Sequence, residues 1–134
     1  TINSELFADS KYLLTEFVSN FGKQAVIGYL PFKMQNSLIL IYNSDNQSFE
    51  EVDDKFWRSV NLFCDEVIMI DALSQGKLSG FDFKALTEVP VERSKIYISG
   101  GITARDINLS RDRDLAGVVL DNSALFSSGD IFKR

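Results

Sequence analysis

Helix-like and strand-like segments alternate along the chain, and this alternation restricts the fold more than any other feature of the sequence. Apolar residues recur at helical spacing after Asp9 and again after Ser48, and a shorter helical segment spans residues 83–89. Strand-like apolar runs lie at residues 25–30, 66–70, 95–99 and 117–120. The run at 25–30 has no period of two, which is typical of a strand covered on both faces. The pattern predicts an α/β fold with a parallel sheet and right-handed crossovers.

Turn residues mark boundaries in the first half of this pattern. Pro31 is predicted to end the strand at 25–30, because proline cannot donate to a sheet ladder. A second β-like stretch at residues 37–42 is predicted to pair back through a turn at residues 34–36. A polar loop at residues 43–47 follows it.

Two helices carry capping signals. Ser48 and Glu51 form a capping-box pattern that predicts a helix starting at Ser48. Its buried face would carry Val52, Phe56, Val60 and Phe63, which share one helical face. Thr103 is predicted to cap the last helix, and the charges at residues 105–114 are predicted to form a solvated face.

The composition excludes several kinds of site. The chain has no histidine, and Cys64 is its single cysteine, so a histidine triad, the usual zinc sites and an internal disulfide are excluded. Cys64 precedes a strand-like run and is predicted to be a small buried hydrophobe. We expect neither a metal nor a cofactor.

The charge balance is acidic, with 14 Lys plus Arg against 19 Asp plus Glu and a net charge of −5. No basic run is present, and we therefore expect no nucleic-acid surface. The sequence also has no apolar run of the ~20 residues that a membrane span needs and no charged leader before an apolar stretch. These features predict a soluble, cytoplasmic protein without a membrane partner.

Four segments in the second half carry a resemblance to a known family. They are residues 71–80 (DALSQGKLSG), 95–103 (KIYISGGIT), 115–120 (LAGVVL) and 123–126 (SALF). In order and spacing they resemble the C-terminal half of the histidine-biosynthesis barrels. That family contains the phosphoribosylformimino-aminoimidazole carboxamide ribotide isomerase and the cyclase subunit of imidazole glycerol phosphate synthase. The Ser-Gly-Gly-Ile-Thr run favours the isomerase, while the pattern after residue 71 is similar to both.

The resemblance implies that residues 1–134 form half of a TIM (β/α)8 barrel. The fourth strand would end at Ser4, and strands five to eight would be the runs at 25–30, 66–70, 95–99 and 117–120. Strands one to three would be missing, which leaves two open edges and an uncovered apolar inner face. We therefore expect self-association, or a first-half chain that completes the barrel. A third reading is that these residues are part of a longer chain.

The resemblance also implies site residues. Asp71 matches a family aspartate and is the catalytic candidate, whereas Pro31 occupies the position of an acid–base aspartate. Asp121 stands in place of a phosphate-loop glycine. The phosphate site would be formed by Ser99, Gly100, Gly101, Asn122 and Ser123, and substrate contacts would come from Ser4, Lys33, Ser79 and Gly80.

Each of these assignments has a simpler alternative. Asp71 at a strand end could serve as a turn or capping residue. The pair Gly100 and Gly101 is equally typical of a tight turn. Lys33 could be a solvated cation, because nothing in the sequence shows that it is desolvated.

Two hypotheses about function follow. In the first, the chain is a diverged isomerase-like protein that binds a phosphorylated ribose–aminoimidazole compound and, if active, carries out an Amadori-type aldose–ketose isomerisation. In the second, it is a non-catalytic barrel relative used for binding, regulation or assembly. The order of the motifs supports the first hypothesis, which we prefer, while Pro31 and Asp121 count against its catalytic step and are what the second hypothesis expects.

Overall fold

The computed structural model describes residues 2–3, 19–20, 22 and 26–120 of the chain. Its strands are β1 (Ile2–Asn3), β2 (Ile27–Gln35), β3 (Leu38–Asn43), β4 (Ser48–Glu50), β5 (Glu66–Asp71), β6 (Ile96–Ser99) and β7 (Gly117–Val119). Its helices are α1 (Asp54–Phe63) and α2 (Ala104–Asp112), with 3-10 helices at Phe83–Glu88 and Arg93–Lys95. The helix predicted after Asp9 and the apolar piece at 124–126 lie outside the described residues, apart from the helical Ser19 and Asn20.

The strands form one mixed sheet in which most pairings are parallel. Its order is β4-β3-β2-β5-β6-β7, and β1 pairs with β2. The pairs β1·β2, β2·β5, β5·β6 and β6·β7 are parallel, so five strands follow one another across the sheet in chain order. The prediction of an α/β fold with a parallel sheet is confirmed. The described elements also include an antiparallel extension, formed by β3 and β4.

The first strand is longer than predicted, because it does not end at Pro31. Ile27 to Phe32 pair with β5, and Phe32 to Gln35 pair with β3. Pro31 lies between the residues of β2 that pair with β1 and those that pair with β3, where a missing N–H does not interrupt either ladder. The prediction that Pro31 ends the strand is therefore wrong.

The turn after β2 confirms the predicted hairpin, although its central residues are 36 and 37 and the predicted turn is at 34–36. Gln35 pairs with Leu38, and the two residues between them, Asn36 and Ser37, have φ angles of 53° and 64°. Positive φ at both central positions is the type I′ geometry that suits the twist of a two-residue hairpin.

The helix predicted to start at Ser48 begins six residues later. Ser48 lies in β4, and its hydroxyl donates to Glu50 Oε1 (2.9 Å), to which the Asn46 side-chain amide also donates (2.8 Å). These hydrogen bonds and the pairing with β3 satisfy the polar groups in a second hairpin. The hydrogen bonds from Asn46 and Ser48 also lower the pKa of Glu50. Asp53 caps α1 instead, accepting from the Phe56 N–H (3.0 Å).

One face of the sheet packs against α1 and the segments around it. Leu30, Phe32, Met69 and Ile98 are completely buried there, together with Val60 and Phe63 of α1. The predicted apolar face of α1 is confirmed at these two helix positions. Cys64 is also buried, as predicted, with its sulfur close to Gly28.

The opposite face of the sheet is more exposed. Side chains alternate along strands, so Tyr29, Ile68, Tyr97 and Val119 share this face through the strand register. Tyr29 is 37% exposed and Val119 is 40% exposed, while Ile68 and Tyr97 are half-buried. A hydrogen bond with the Glu66 carboxylate raises the pKa of Tyr97 on this face.

The burial pattern predicts unequal costs for the same substitution at two leucines. Leu30→Ala removes a fully buried side chain, and we expect a loss of about 2–5 kcal/mol in the free energy of unfolding. Leu62→Ala, at a side chain 61% exposed on α1, should change it by no more than about 0.5 kcal/mol. Equilibrium urea unfolding measures both values, and equal losses would contradict the described core.

Candidate functional site

The carboxyl ends of β5 and β6 bring two predicted site residues to one edge of the sheet. Asp71 is the last residue of β5, and Ser99 is the last residue of β6. The register pairs Ser99 with Ile70, directly before Asp71, so the side chains of Ser99 and Asp71 lie on opposite faces of the sheet. Both side chains are buried, with exposed fractions of 3% and 8%. Parallel α/β sheets bind ligands at this edge.

The Asp71 carboxylate holds the loop of residues 72–82. Its Oδ2 accepts from the Ser74 hydroxyl (3.0 Å) near the start of the loop and from the Asp82 N–H (3.0 Å) at its end. The Asp71 carbonyl accepts from the N–H groups of Ser74 (3.1 Å) and Gln75 (3.0 Å). Asp71 therefore has the turn-forming role that was its simpler alternative, and its catalytic role stays a prediction.

Gly100 and Gly101 form a turn onto which this loop packs. Gly100 has a φ of 99°, and a Cβ there would lie 2.5 Å from the Asp71 carbonyl oxygen. Gly101 has a φ of 68°, and a Cβ there would lie 2.7 Å from Ser74 Cβ. The Gly101 carbonyl accepts from the Gly80 N–H (2.9 Å). Close approach of the loop explains both glycines, and the phosphate-binding role stays a prediction.

Asp106 links the same loop to α2, a role that the sequence analysis did not assign. Its Oδ2 accepts from the Thr103 N–H (2.9 Å) and from the Phe81 N–H (3.1 Å). Thr103 caps α2 as predicted, and Asp106 completes the capping box. The spacing Thr103-x-x-Asp106 is the signal that could have identified it. Asp106 is buried, so the prediction that the charges at 105–114 form a solvated face is wrong at this residue.

Ser79 and Gly80, two of the predicted substrate contacts, lie beside a cleft of about 420 Å³. We call it the basic cleft, because Lys84, Arg105 and Arg113 line it. The Arg113 guanidinium lies 4.9 Å from the centre of the Phe83 ring. Ser79 is exposed, and Gly80 has a φ of 90°.

Lys33, another predicted substrate contact, lies on β2 one residue beyond the pair Phe32–Asp71. Its ammonium nitrogen lies 5.0 Å from the centre of the Phe49 ring on β4, and the residue is half-buried. Lys33 therefore contacts the hairpin extension through a cation–π interaction. Ser4, Asn122, Ser123 and the divergent Asp121 lie outside the described residues.

Within residues 2–3, 19–20, 22 and 26–120, no three Cys, Asp or Glu side chains form a group that could hold a metal ion. None of the helices in this part of the chain is long and apolar enough to cross a membrane.

A sequence model of one protein family, described as "Histidine biosynthesis protein", matches residues 1–129. The chain belongs to this histidine-biosynthesis family. The predicted resemblance is confirmed, since the match covers nearly the whole chain, and the barrel architecture of the family agrees with the parallel strands of the sheet. A search of curated proteins finds no significant match.

The close packing at Gly100 predicts that an added methyl group there lowers the stability of the protein more than one at Gly76. Gly76→Ala provides a matched control, because its φ is 79° and a Cβ there would meet no atom within 4 Å. We expect Gly76→Ala to cost roughly 1–2 kcal/mol through its left-handed backbone alone. Gly100→Ala should cost a further ~1–3 kcal/mol, because its Cβ overlaps the Asp71 carbonyl.

Thermal and urea unfolding of the two variants measures this difference. Equal stability of the two variants would contradict the close packing of the loop on the glycine turn.

Proposed function

We propose that this histidine-biosynthesis family domain binds a phosphorylated ribose–aminoimidazole compound at the carboxyl ends of its parallel strands. The observation that carries the proposal is the position of Ser99, at the carboxyl end of β6 and directly before the glycine turn. The Ser99 side chain is buried and belongs to a strand, which suits a site that needs fixed polar groups. The family match over residues 1–129 supports the substrate class.

The architecture that we propose is the C-terminal half of a TIM barrel. In this reading β1, β2, β5, β6 and β7 are strands four to eight, and the hairpin of β3 and β4 is an insertion after strand five. Two observations support it: the five strands are parallel neighbours in chain order, and one face of the sheet leaves Tyr29 and Val119 exposed. In a closed barrel that face would be the filled interior.

The phosphate site in this proposal is formed after β6 and β7. Ser99, Gly100 and Gly101 would supply the first half, and Asn122 and Ser123 the second. Asp121 opposes phosphate binding, because a carboxylate 4 Å from a phosphate charge costs roughly 1 kcal/mol even in water. We therefore expect a weaker affinity than a glycine at position 121 would permit.

We propose binding without turnover by this chain alone. An Amadori-type isomerisation needs an acid and a base, and Pro31 has no proton to transfer at the position of the family aspartate. The Asp71 carboxylate already accepts two hydrogen bonds that hold its loop. This observation favours the second hypothesis, a non-catalytic relative used for binding, regulation or assembly. Isomerisation would require a carboxylate from the polypeptide that completes the barrel.

Ligand binding tests the proposal through Ser99. We expect calorimetric titration with a phosphoribosyl aminoimidazole carboxamide ligand to show binding, and Ser99→Ala to weaken it about tenfold, because a hydrogen bond to a charged group contributes roughly 1.5 kcal/mol or more. Ser94→Ala is the control, since Ser94 is exposed and precedes β6 at the opposite edge.

Two results would contradict the proposal: no heat with either this ligand or inorganic phosphate, or equal affinities of the two serine variants. An isomerase assay of the same sample should show no turnover above the uncatalysed rate.

The oligomeric state of the protein in solution tests the half-barrel proposal. We propose that a second copy or a first-half chain covers the exposed face of the sheet, and we expect light scattering to show a species heavier than 15.1 kDa. Val119→Asp should shift that species towards the monomer, because it places a charge on the face to be covered. Leu62→Asp, at an exposed leucine of α1, should leave it unchanged. A stable monomer of the unaltered chain would contradict the half-barrel.

A further inference from the structure

The basic cleft holds a group of cations in a chain that is acidic as a whole. Lys84 lies on the 3-10 helix Phe83–Glu88, whereas Arg105 and Arg113 lie at the two ends of α2. All three residues are exposed. They converge on one cleft although the chain carries a net charge of −5. The cleft therefore has the sign of charge that attracts an anionic partner.

The two carboxylates that also line the cleft are already engaged. Asp82 accepts from the Lys84 N–H (3.1 Å) and so caps the 3-10 helix. Asp106 is 4% exposed and accepts from the Thr103 and Phe81 N–H groups. The cleft carries three cations against two carboxylates, a surplus of one positive charge, and the three cations are its exposed charged groups.

Arg105 lies at a position of its own helix where a positive charge is unfavourable. It is the second residue of α2, and a cation in the first turn faces the positive end of the helix dipole. The fold does not gain from a cation at this position. A bound anion would be attracted both by Arg105 and by the helix, so the position is favourable only when the cleft is occupied.

The spacing of the arginines defines the length of the partner. Arg105 and Leu109 share one side of α2, and Arg113 follows after the same interval as the C-cap residue of the helix. A rise of 1.5 Å per residue separates the backbone positions of the two arginines by about 12 Å. That span allows the two arginines to contact two separate anionic groups. It matches two acidic side chains about four residues apart in an extended peptide, which rises roughly 3.3 Å per residue.

The middle of the cleft is apolar. Leu109 lies between the two arginines in sequence, and Phe83 lies opposite with the Arg113 guanidinium over its ring. Contact with the ring orients that guanidinium before any partner arrives. An apolar side chain midway between the two acidic residues of a peptide would contact Leu109 and Phe83.

We propose that the basic cleft binds an extended acidic peptide segment of a partner protein, with two carboxylate side chains four residues apart and an apolar side chain midway between them. Arg105 and Arg113 each pair with one carboxylate, Lys84 adds a third cation at the rim, and Leu109 and Phe83 receive the apolar side chain. The proposal does not depend on the phosphate site or on barrel closure.

Fluorescence anisotropy with the purified protein and a labelled peptide, Gly-Glu-Gly-Leu-Gly-Glu-Gly, tests the proposal. We expect saturable binding that weakens as salt rises, and loss of binding when both Glu residues are replaced by Gln. A peptide with the two Glu residues adjacent should bind more weakly, because it cannot reach both arginines.

Protein variants give the decisive comparison. Arg105→Gln and Arg113→Gln should each lower the affinity for the peptide roughly two- to fivefold, which is the effect of removing one exposed ion pair. Arg58→Gln, which removes an exposed charge from α1, should leave the affinity unchanged. Ser99→Ala should also leave it unchanged, so failure of this proposal is distinguishable from failure of the proposed phosphate site.

Two further readouts complete the test. Arg105→Gln should lower the affinity for the peptide. It should also raise the thermal midpoint of the free protein by about 1–4 °C, because it removes a cation from the positive end of α2. Equal binding of the Glu and Gln peptides, or an equal effect of Arg58→Gln, overturns the proposal. Competition by single-stranded RNA at the concentration of the acidic peptide would show a general polyanion surface and also overturns it.

Discussion

The packing of the Asp71 carbonyl against Gly100 is the contact on which the rest of the site depends. The two backbones approach so closely that a Cβ at Gly100 would lie 2.5 Å from the carbonyl oxygen. This approach places the end of β5 next to the turn after β6. It also lets the loop of residues 72–82 lie over that turn, with the Asp71 carboxylate bonded to both ends of the loop. Asp106 then joins the end of the loop to the start of α2.

These contacts give a physical basis for separating binding from catalysis. The buried Asp71 carboxylate accepts a hydroxyl and a backbone N–H, which gives it a structural role in holding the loop. Pro31 occupies the other acid–base position that the family resemblance points to, and it lies within a continuous strand. The glycine turn and Ser99 are compatible with an anion at the strand ends. A domain that binds a phosphorylated compound, with any chemistry supplied by a second polypeptide segment, is consistent with both observations.

The two faces of the sheet differ in how deeply their side chains are buried. The face packed against α1 is completely buried at Leu30, Phe32 and Ile98, which accounts for every second apolar residue of these strands. The other face exposes Tyr29 and Val119, which suits closure against further strands. The basic cleft lies elsewhere, between the 3-10 helix and α2, so the two surfaces can be tested independently.

The sequence by itself determined the order of elements, the hairpin, the caps at Thr103 and the burial of Cys64, because these depend on local periodicity and turn chemistry. It did not determine that β2 continues through Pro31 or that Ser48 belongs to a strand, because both depend on which neighbouring strand pairs with the backbone there. Family motifs located Asp71, Ser99, Gly100 and Gly101. Only the tertiary structure decided that Asp71 and Asp106 hold one loop from two sides, since their N–H partners are 11 and 25 residues away in the chain. The convergence of Lys84 with Arg105 and Arg113 was likewise decided by tertiary packing, because it places two helices that are distant in sequence beside one cleft.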